Sequence, residues 1–462
     1  MSKKIKIVAG SLLLFLVIFF QPVKSFTLQI LPQFWVKKIY AIKNEIFNTE
    51  EPILKTKVKS LTYTEVSTFF NADLIPLSRK IDDSLSYVYF DIPDIFPGKH
   101  EGAKNSAYID FFAEGMVYVA ANGVFFYLEN HGCDSCFTMN HIKSNIQEVV
   151  TFPGFFEEST FGIKDIFIED NIIYISCTLK KNDGYNTSIF SAEMNAERLV
   201  FSPFFIPHEF IKTENDYGSF NAHQSGGRIS QGRKDSVLLS IGEYQYRDKA
   251  QSDTSINGKI LSISKKTGGY RIVSKGHRNP QGLEFNEDLE IIVSTDHGPS
   301  GGDEINIDEE MDAISNFGWP ISSYGYHYGK ENVVSIPPEG DPEKWTMQGS
   351  PLYKSHAKYG FTEPLLFFEK NPGISQVKIL AFDKSTKEIR IAVATMGYDW
   401  ALSERPFARS ILIYTIQLEN KAIRLEKQYR VDERVRDLIY KKDKKQLIFI
   451  GETTGLIGFI DL

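Results

Sequence analysis

The chain is short of positive charge, of cysteine and of long apolar runs, and each shortage narrows its function. Its 52 lysines and arginines are outnumbered by 59 aspartates and glutamates, for a net charge of −7. Neutralising a phosphate backbone needs a basic face, so this balance argues against a nucleic-acid partner. Three cysteines occur in 462 residues. Cys133 and Cys136 form a Cys-x-x-Cys pair flanked by His131 and His141, which reads as a local disulfide in an exported protein, with a closed zinc site as the alternative. Phe137 stands where a c-type haem motif requires histidine, so haem attachment is excluded. Cys177 lies in an apolar run and reads as an inert core thiol.

The uncharged run Ile7 to Phe20 follows Lys3, Lys4 and Lys6 and gives way to Gln21-Pro22-Val23-Lys24-Ser25. A basic start, a short apolar stretch and a small residue at Ser25 fit a secretory signal peptide cleaved after that residue. An uncleaved membrane anchor is the competing reading, although a spanning helix needs about 20 apolar residues. Either way the globular part is expected to be exported, to the periplasm or beyond, with membrane attachment through residues 1–25 in the second case.

What the chain does have is a repeat. An apolar strand, a polar turn and a second apolar strand ending in small or polar residues recur six times, at Ile109 to Leu128, Asp165 to Cys177, Gly226 to Glu243, Gly282 to Gly298, Lys378 to Gly397 and Val435 to Gly455. Successive starts lie about 55 to 60 residues apart, except for the longer step from Gly282 to Lys378. That period suits one four-stranded blade per repeat. The strands are rich in Ile, Val, Phe and Tyr on both faces, as expected where each sheet is buried between two others. The fold class is therefore all-β, a six-bladed β-propeller over residues 84–462, preceded by an N-terminal extension over 26–83 that matches no repeat. The long step holds an insertion, Ile321 to Pro372, carrying Trp345; a loop of that length is usually functional or disordered.

The chemistry concentrates between Lys275 and Pro320. Gly276 to Leu283 reads Gly-His-Arg-Asn-Pro-Gln-Gly-Leu, Asp296 to Asn306 reads Asp-His-Gly-Pro-Ser-Gly-Gly-Asp-Glu-Ile-Asn, and Asn316 to Pro320 reads Asn-Phe-Gly-Trp-Pro. A plain structural strand needs neither the paired acids nor the arginine and histidine. The Gly-Pro and Gly-Gly steps bend the backbone so that carbonyls can point at a ligand or cation. Two distant segments join this block: His223 to Arg228, His-Gln-Ser-Gly-Gly-Arg, and Glu433 to Leu438, Glu-Arg-Val-Arg-Asp-Leu. Arg434 and Arg436 alternate on a strand, so both side chains point one way, and paired guanidiniums make bidentate contacts with carboxylates. Glu433 and Asp437 keep a salt-bridged face open as the plainer reading.

Together these motifs, over approximately Ser84 to Leu462, resemble the soluble pyrroloquinoline quinone (PQQ) sugar dehydrogenases, the glucose/sorbosone and aldose sugar dehydrogenase family. The resemblance implies an oxidoreductase that oxidises an aldose sugar or related alcohol with PQQ and Ca2+ and passes electrons to a separate acceptor. It implies that His223 is the base that takes the hydroxyl proton, a task suited to imidazole because its pKa lies near working pH. It further implies that Arg434 and Arg436 hold cofactor carboxylates, that Gln224, Arg278, Asn279 and His297 line the cofactor, with Gln281 beside them, and that the backbone carbonyls of Gly298 and Pro299 bind calcium. Asp303 and Glu304 would hold that loop or bind the cation. The chain departs from the family at Met396, where a lysine is usual, at Phe317, where tyrosine is usual, and at Asp296, where many relatives carry glutamate. Two other readings share the fold: a propeller that lost the chemistry and binds carbohydrate or protein, and a lactonase-type hydrolase with calcium in the channel.

Overall fold

The computed structural model describes residues 71–82, 85–92, 105–132, 136–157, 160–212, 220, 222–326, 352–397 and 405–462. The signal or anchor segment, most of the extension, Cys133 and Trp345 lie outside the described residues. Each repeat unit falls on the two inner strands of one antiparallel sheet, the first running on into the third strand at Phe125 to Leu128, and these six sheets are the blades of a propeller. Their innermost strands are Ala107–Phe112, Ile163–Glu169, Gly226–Gln231, Pro280–Asn286, Ile374–Asp383 and Val435–Lys441, for blades 1 to 6 in chain order.

The core explains why the strands are apolar on both faces. Six buried clusters lie one between each pair of neighbouring blades, closing a ring. In blade 5, Ile391 and Val393 face blade 4 while Ala392 and Ala394 face blade 6. Successive residues of a strand point to opposite faces, so an uninterrupted apolar run is what a doubly covered sheet requires. Cys177 is free and fully buried in the cluster between blades 1 and 2, and burial pushes its thiol up to about 12. Cys136 is disulfide-bonded.

The ring closes where an early strand pairs with the last described one. Leu85–Asp91 pairs with Leu456–Asp461 as the fourth strand of blade 6. Leu77–Asp82 extends that sheet by one more strand, and Asn71–Leu74 pairs with Phe137–Ser144 at the outer edge of blade 1. Sheet structure thus reaches back to Asn71, across the boundary drawn between Asp83 and Ser84. These edge strands carry Arg79, Lys80 and Asp82 and follow no two-strand unit, so periodicity gave no sign of them.

At the axis the innermost strands have a free edge, and their backbone groups need partners. Side chains of the neighbouring blade supply them. Asp110 accepts from the Ile168 N–H (2.7 Å), Asp165 from Ile229 (2.8 Å), Ser230 from Phe285 (3.3 Å) and Asp437 from Ile109 (2.9 Å). Gln376 accepts from Leu283 (3.3 Å), and the Ser375 hydroxyl donates to the Val435 carbonyl (2.6 Å). Every blade interface therefore has a polar latch inside its apolar cluster.

Arg228 spans the axis from blade 3. It donates to Asp165 (2.9 Å) and Asp437 (2.8 Å), and to the carbonyls of Gln281 (2.7 Å) and Arg436 (2.5 Å), with its guanidinium 5.3 Å from the Tyr108 ring centre. Five blades meet on one side chain. Further along the axis lies a cavity of about 170 Å³, lined by Asp110, Asp165, Glu284, Lys378 and Asp437 among others.

Candidate active site

The mouth of the axis is shaped by a recurring irregularity. In blades 2 to 6 the pairing of the innermost strand with its neighbour slips near its start, between Ile163 and Asp165, Gly226 and Ile229, Pro280 and Gly282, Ile374 and Val377, and Val435 and Asp437. Bulges of this kind leave residues unpaired and re-aim their side chains. The residues so released include Lys164, Arg228, Gln281 and Arg436. Blade 1 keeps its register.

Arg434 and Arg436 do point the same way, as their alternation implied. Their partner is Glu452, at the start of the turn after the second strand of blade 6, rather than Glu433 or Asp437. Arg434 Nε lies 3.1 Å from Glu452 Oε2, and Arg436 donates to Oε1 through Nε (2.8 Å) and Nη2 (2.7 Å). Although burial works against it, the two guanidiniums and the Ser106 hydroxyl hold the Glu452 carboxyl below its ordinary value. Two cations thus share one buried anion, so this cluster carries one positive charge more than it neutralises. Glu433 instead pairs with Arg79 on the added outer strand Leu77–Asp82, at 3.1 Å.

From Arg436 a chain of hydrogen bonds runs to the other predicted residues. Arg436 Nη1 donates to Gln281 Oε1 (3.3 Å), and Gln281 donates to Asn279 Oδ1 (3.0 Å), which also accepts from the Gly226 N–H (3.2 Å). Asp296 fixes the turn by accepting the backbone N–H groups of Arg278 (3.0 Å) and Asn279 (2.6 Å). The buried His277, between Ser274 and Asp296 and beneath the Phe317 ring, is a packing residue.

Arg278 reaches across to the Gly298 loop, donating to the carbonyls of His297 and Gly298 at 2.9 Å each. Its guanidinium also lies 5.4 Å from the Trp319 ring centre. With its amide oriented to satisfy both neighbours, Gln224 accepts from Arg278 (2.8 Å) and donates to Glu243. His223 sits beside it, half-buried, between Ala222 and Gln224, whose φ angles of 56° and 59° are left-handed. Non-glycine residues pay strain for that conformation, and such strain clusters at functional sites.

Asp303 holds the loop: its carboxylate accepts from Gly298 (3.1 Å), Gly373 (2.9 Å) and Ile374 (3.0 Å), with His297 Nδ1 at 3.5 Å. Burial, with Asp296, Asp303 and Glu363 near, pushes the Glu304 carboxyl well above its ordinary value. Among the described residues no group of three or more His, Cys, Asp or Glu side chains is arranged to hold a metal. A cation here would rely on carbonyls. That of Pro299 accepts from Asn371 (2.7 Å), and that of Gly298 is shared with Arg278. The described ends of the insertion pack on this loop, with Ser300 bridged to Tyr326, so they lie on the face that carries the site.

Sequence reasoning singled out neither Glu243 nor Glu452. Both stand just after the second strand of their blade, in the small or polar ending of the repeat unit, and that position was the available signal. Burial raises the Glu243 carboxyl to about 7 from 4.5, against the lowering effect of Arg278 and Arg247. Between those values the folded chain holds a proton that the unfolded chain releases. The resulting stability is fully present below about pH 4.5 and is lost as pH rises through about 7. Wild type is expected to lose stability relative to Glu243→Gln across that window, by at most about 1.4 kcal/mol per pH unit. Thermal unfolding of both proteins over the range checks this, and parallel curves would contradict it.

The geometry defines a six-bladed propeller with a polar site at the mouth of its axis, where three arginines meet buried acids. The family model described as glucose/sorbosone dehydrogenase matches residues 116–457, and the chain belongs to that family. It is 27% identical over 172 residues to the aldose sugar dehydrogenase YliI of Escherichia coli (strain K12), covering 34% of this chain and 41% of that one. It is 25% identical over 230 residues to an uncharacterized protein of Synechocystis, covering 43% and 53%. The chain thus spans about half the length of the curated relatives it matches. Among solved structures it is similar to a glucose dehydrogenase, with a TM-score of 0.57 at 19% identity over 79% of this chain and 98% of the other. The apo-form of the soluble aldose sugar dehydrogenase of Escherichia coli gives 0.55 at 17% identity, over 77% and 95%.

Proposed function

We propose that the protein is an exported dehydrogenase that oxidises an aldose sugar or a related alcohol with PQQ and calcium, delivering electrons to a separate acceptor. The observation that carries this reading is the continuous network from Glu243 through Gln224 and Arg278, and from Asn279 through Gln281 to Arg436, Glu452 and Arg434. It brings residues of five segments to one mouth. The family and the name of the E. coli relative support the sugar substrate.

The donor set fits the cofactor. PQQ is a flat quinone with three carboxylates, and Arg434 and Arg436 supply fixed cations whose charge one Glu452 does not cancel. The carbonyls of Gly298 and Pro299 are oxygen donors suited to a hard cation. When bound, the quinone supplies the hydride acceptor and calcium the Lewis acid that polarises it. His223 takes the hydroxyl proton of the substrate, and the strained backbone on either side fixes its place at the mouth. Gln224 and Arg278 hold the neighbouring wall, while Asp303 keeps the Gly298 loop closed.

At the family's lysine position, Met396 is buried with its sulfur 3.8 Å from Arg434 Nη2. Met396→Lys adds an ammonium beside Arg434 and is expected to tighten PQQ binding by roughly 1 kcal/mol. Arg436→Ala is expected to weaken it more, because a desolvated carboxylate would lose a cationic partner. Equilibrium titration of the apoprotein at two ionic strengths, with calcium saturating, checks both; unchanged affinity in Arg436→Ala would remove that residue from the cofactor site.

A further inference from the structure

The bulges at the mouth release one more cation. Lys164 is the second residue of the innermost strand of blade 2, in the slip between Ile163 and Asp165, as Arg436 is in the slip between Val435 and Asp437. It is buried, at 8% exposure. Its stem crosses Gly227 of blade 3, where a Cβ would lie 2.3 Å from Lys164 Cβ and 2.8 Å from Cγ. Gly227 has a φ of 112°, so glycine there serves both the backbone and the passage of the lysine. The ammonium donates to the carbonyl of Thr160, in the loop that enters blade 2 at the mouth.

The electrostatics point the same way. Burial, reinforced by repulsion from Arg436, lowers the Lys164 ammonium to about 7. Holding two cations close in a partly desolvated place costs free energy, and an anion between them reverses the sign of that interaction. A buried lysine with only a packing role gains nothing from such a neighbour. The bulge, the glycine beneath the stem, and the next residue Arg228, which donates to the Arg436 carbonyl, together describe a prepared anion contact.

We propose that Lys164 acts with Arg436 to bind a carboxylate of the quinone cofactor, an assignment that rests on the cofactor reading given above. The test is equilibrium titration of calcium-loaded apoprotein with PQQ, for wild type, Lys164→Met, Lys164→Gln and Arg436→Ala, at low and high salt. Lys164→Met preserves the length of the stem, and Lys164→Gln keeps a donor within reach of the mouth, so thermal unfolding of each apoprotein separates lost binding from lost folding. Both lysine variants are expected to fold and to bind roughly 10- to 100-fold more weakly at low salt, the range of a charge-assisted hydrogen bond. Their binding is also expected to depend less on salt. Wild-type affinity and salt dependence in the folded variants would overturn the role of Lys164 while leaving the cofactor site standing. Absence of PQQ binding by wild type itself would overturn the cofactor reading and this proposal with it.

Discussion

Replacement of His223 by alanine or glutamine is expected to lower dehydrogenase turnover by about 100- to 10,000-fold, the usual contribution of a positioned general base. PQQ affinity is expected to stay close to wild type, because in the proposed site the carboxylates would dock on Arg434 and Arg436 in blade 6 while His223 enters from the loop before blade 3. Dye-linked turnover and cofactor titration of the same preparation measure the two quantities separately. Undiminished turnover would assign the base to another group, with His297 the next in place, half-buried 3.5 Å from Asp303. Lost cofactor affinity would instead make His223 a positioning residue.

The second large effect concerns stability. Arg228 is 2% exposed and pairs with Asp165 and Asp437, which are equally buried. Arg228→Met leaves two carboxylates near the axis without their common cation, and it also removes donors from the Gln281 and Arg436 carbonyls. Breaking a buried pair in this way typically costs about 3–5 kcal/mol, far more than the pair contributes over an apolar replacement. Urea unfolding of Arg228→Met is expected to show a loss of that size. Adding Asp165→Asn and Asp437→Asn is expected to recover part of it, since the neutral amides no longer require a cation. A single variant as stable as wild type would mean that the axis tolerates the unpaired acids, and that Arg228 is not what joins the blades there.

The parts of this structure that were legible in the sequence are those whose signals are local. A two-strand unit buried on both faces must be apolar throughout and must end in a turn, so Asp165 to Cys177 or Val435 to Gly455 announces a blade without knowledge of its neighbours. The Arg-x-Arg spacing likewise fixed the common direction of Arg434 and Arg436. What escaped depends on partners far away in the chain. Leu85–Asp91 completes blade 6 only because Leu456–Asp461 lies beside it. Glu452 matters because two arginines converge on it, and Arg228 because acids from blades 2 and 6 meet it at the axis. Lys164 stands one residue before the repeat unit that begins at Asp165, where no local signal marks it. Only the bulge, a property of strand pairing, turns it toward the mouth.

The chemistry proposed for the mouth depends on its cations being available to an anionic quinone, and the network allows a sharp test. The purified protein, freed of cofactor, is mixed with PQQ, calcium and an artificial electron acceptor, and dye reduction is followed across a panel of aldoses. The expected result is reduction that requires both PQQ and a sugar, saturates with PQQ, and falls sharply in His223→Ala. Failure to bind PQQ together with absence of sugar-dependent reduction, in a protein shown to be folded, would contradict it and leave a propeller that kept the architecture as a binding module.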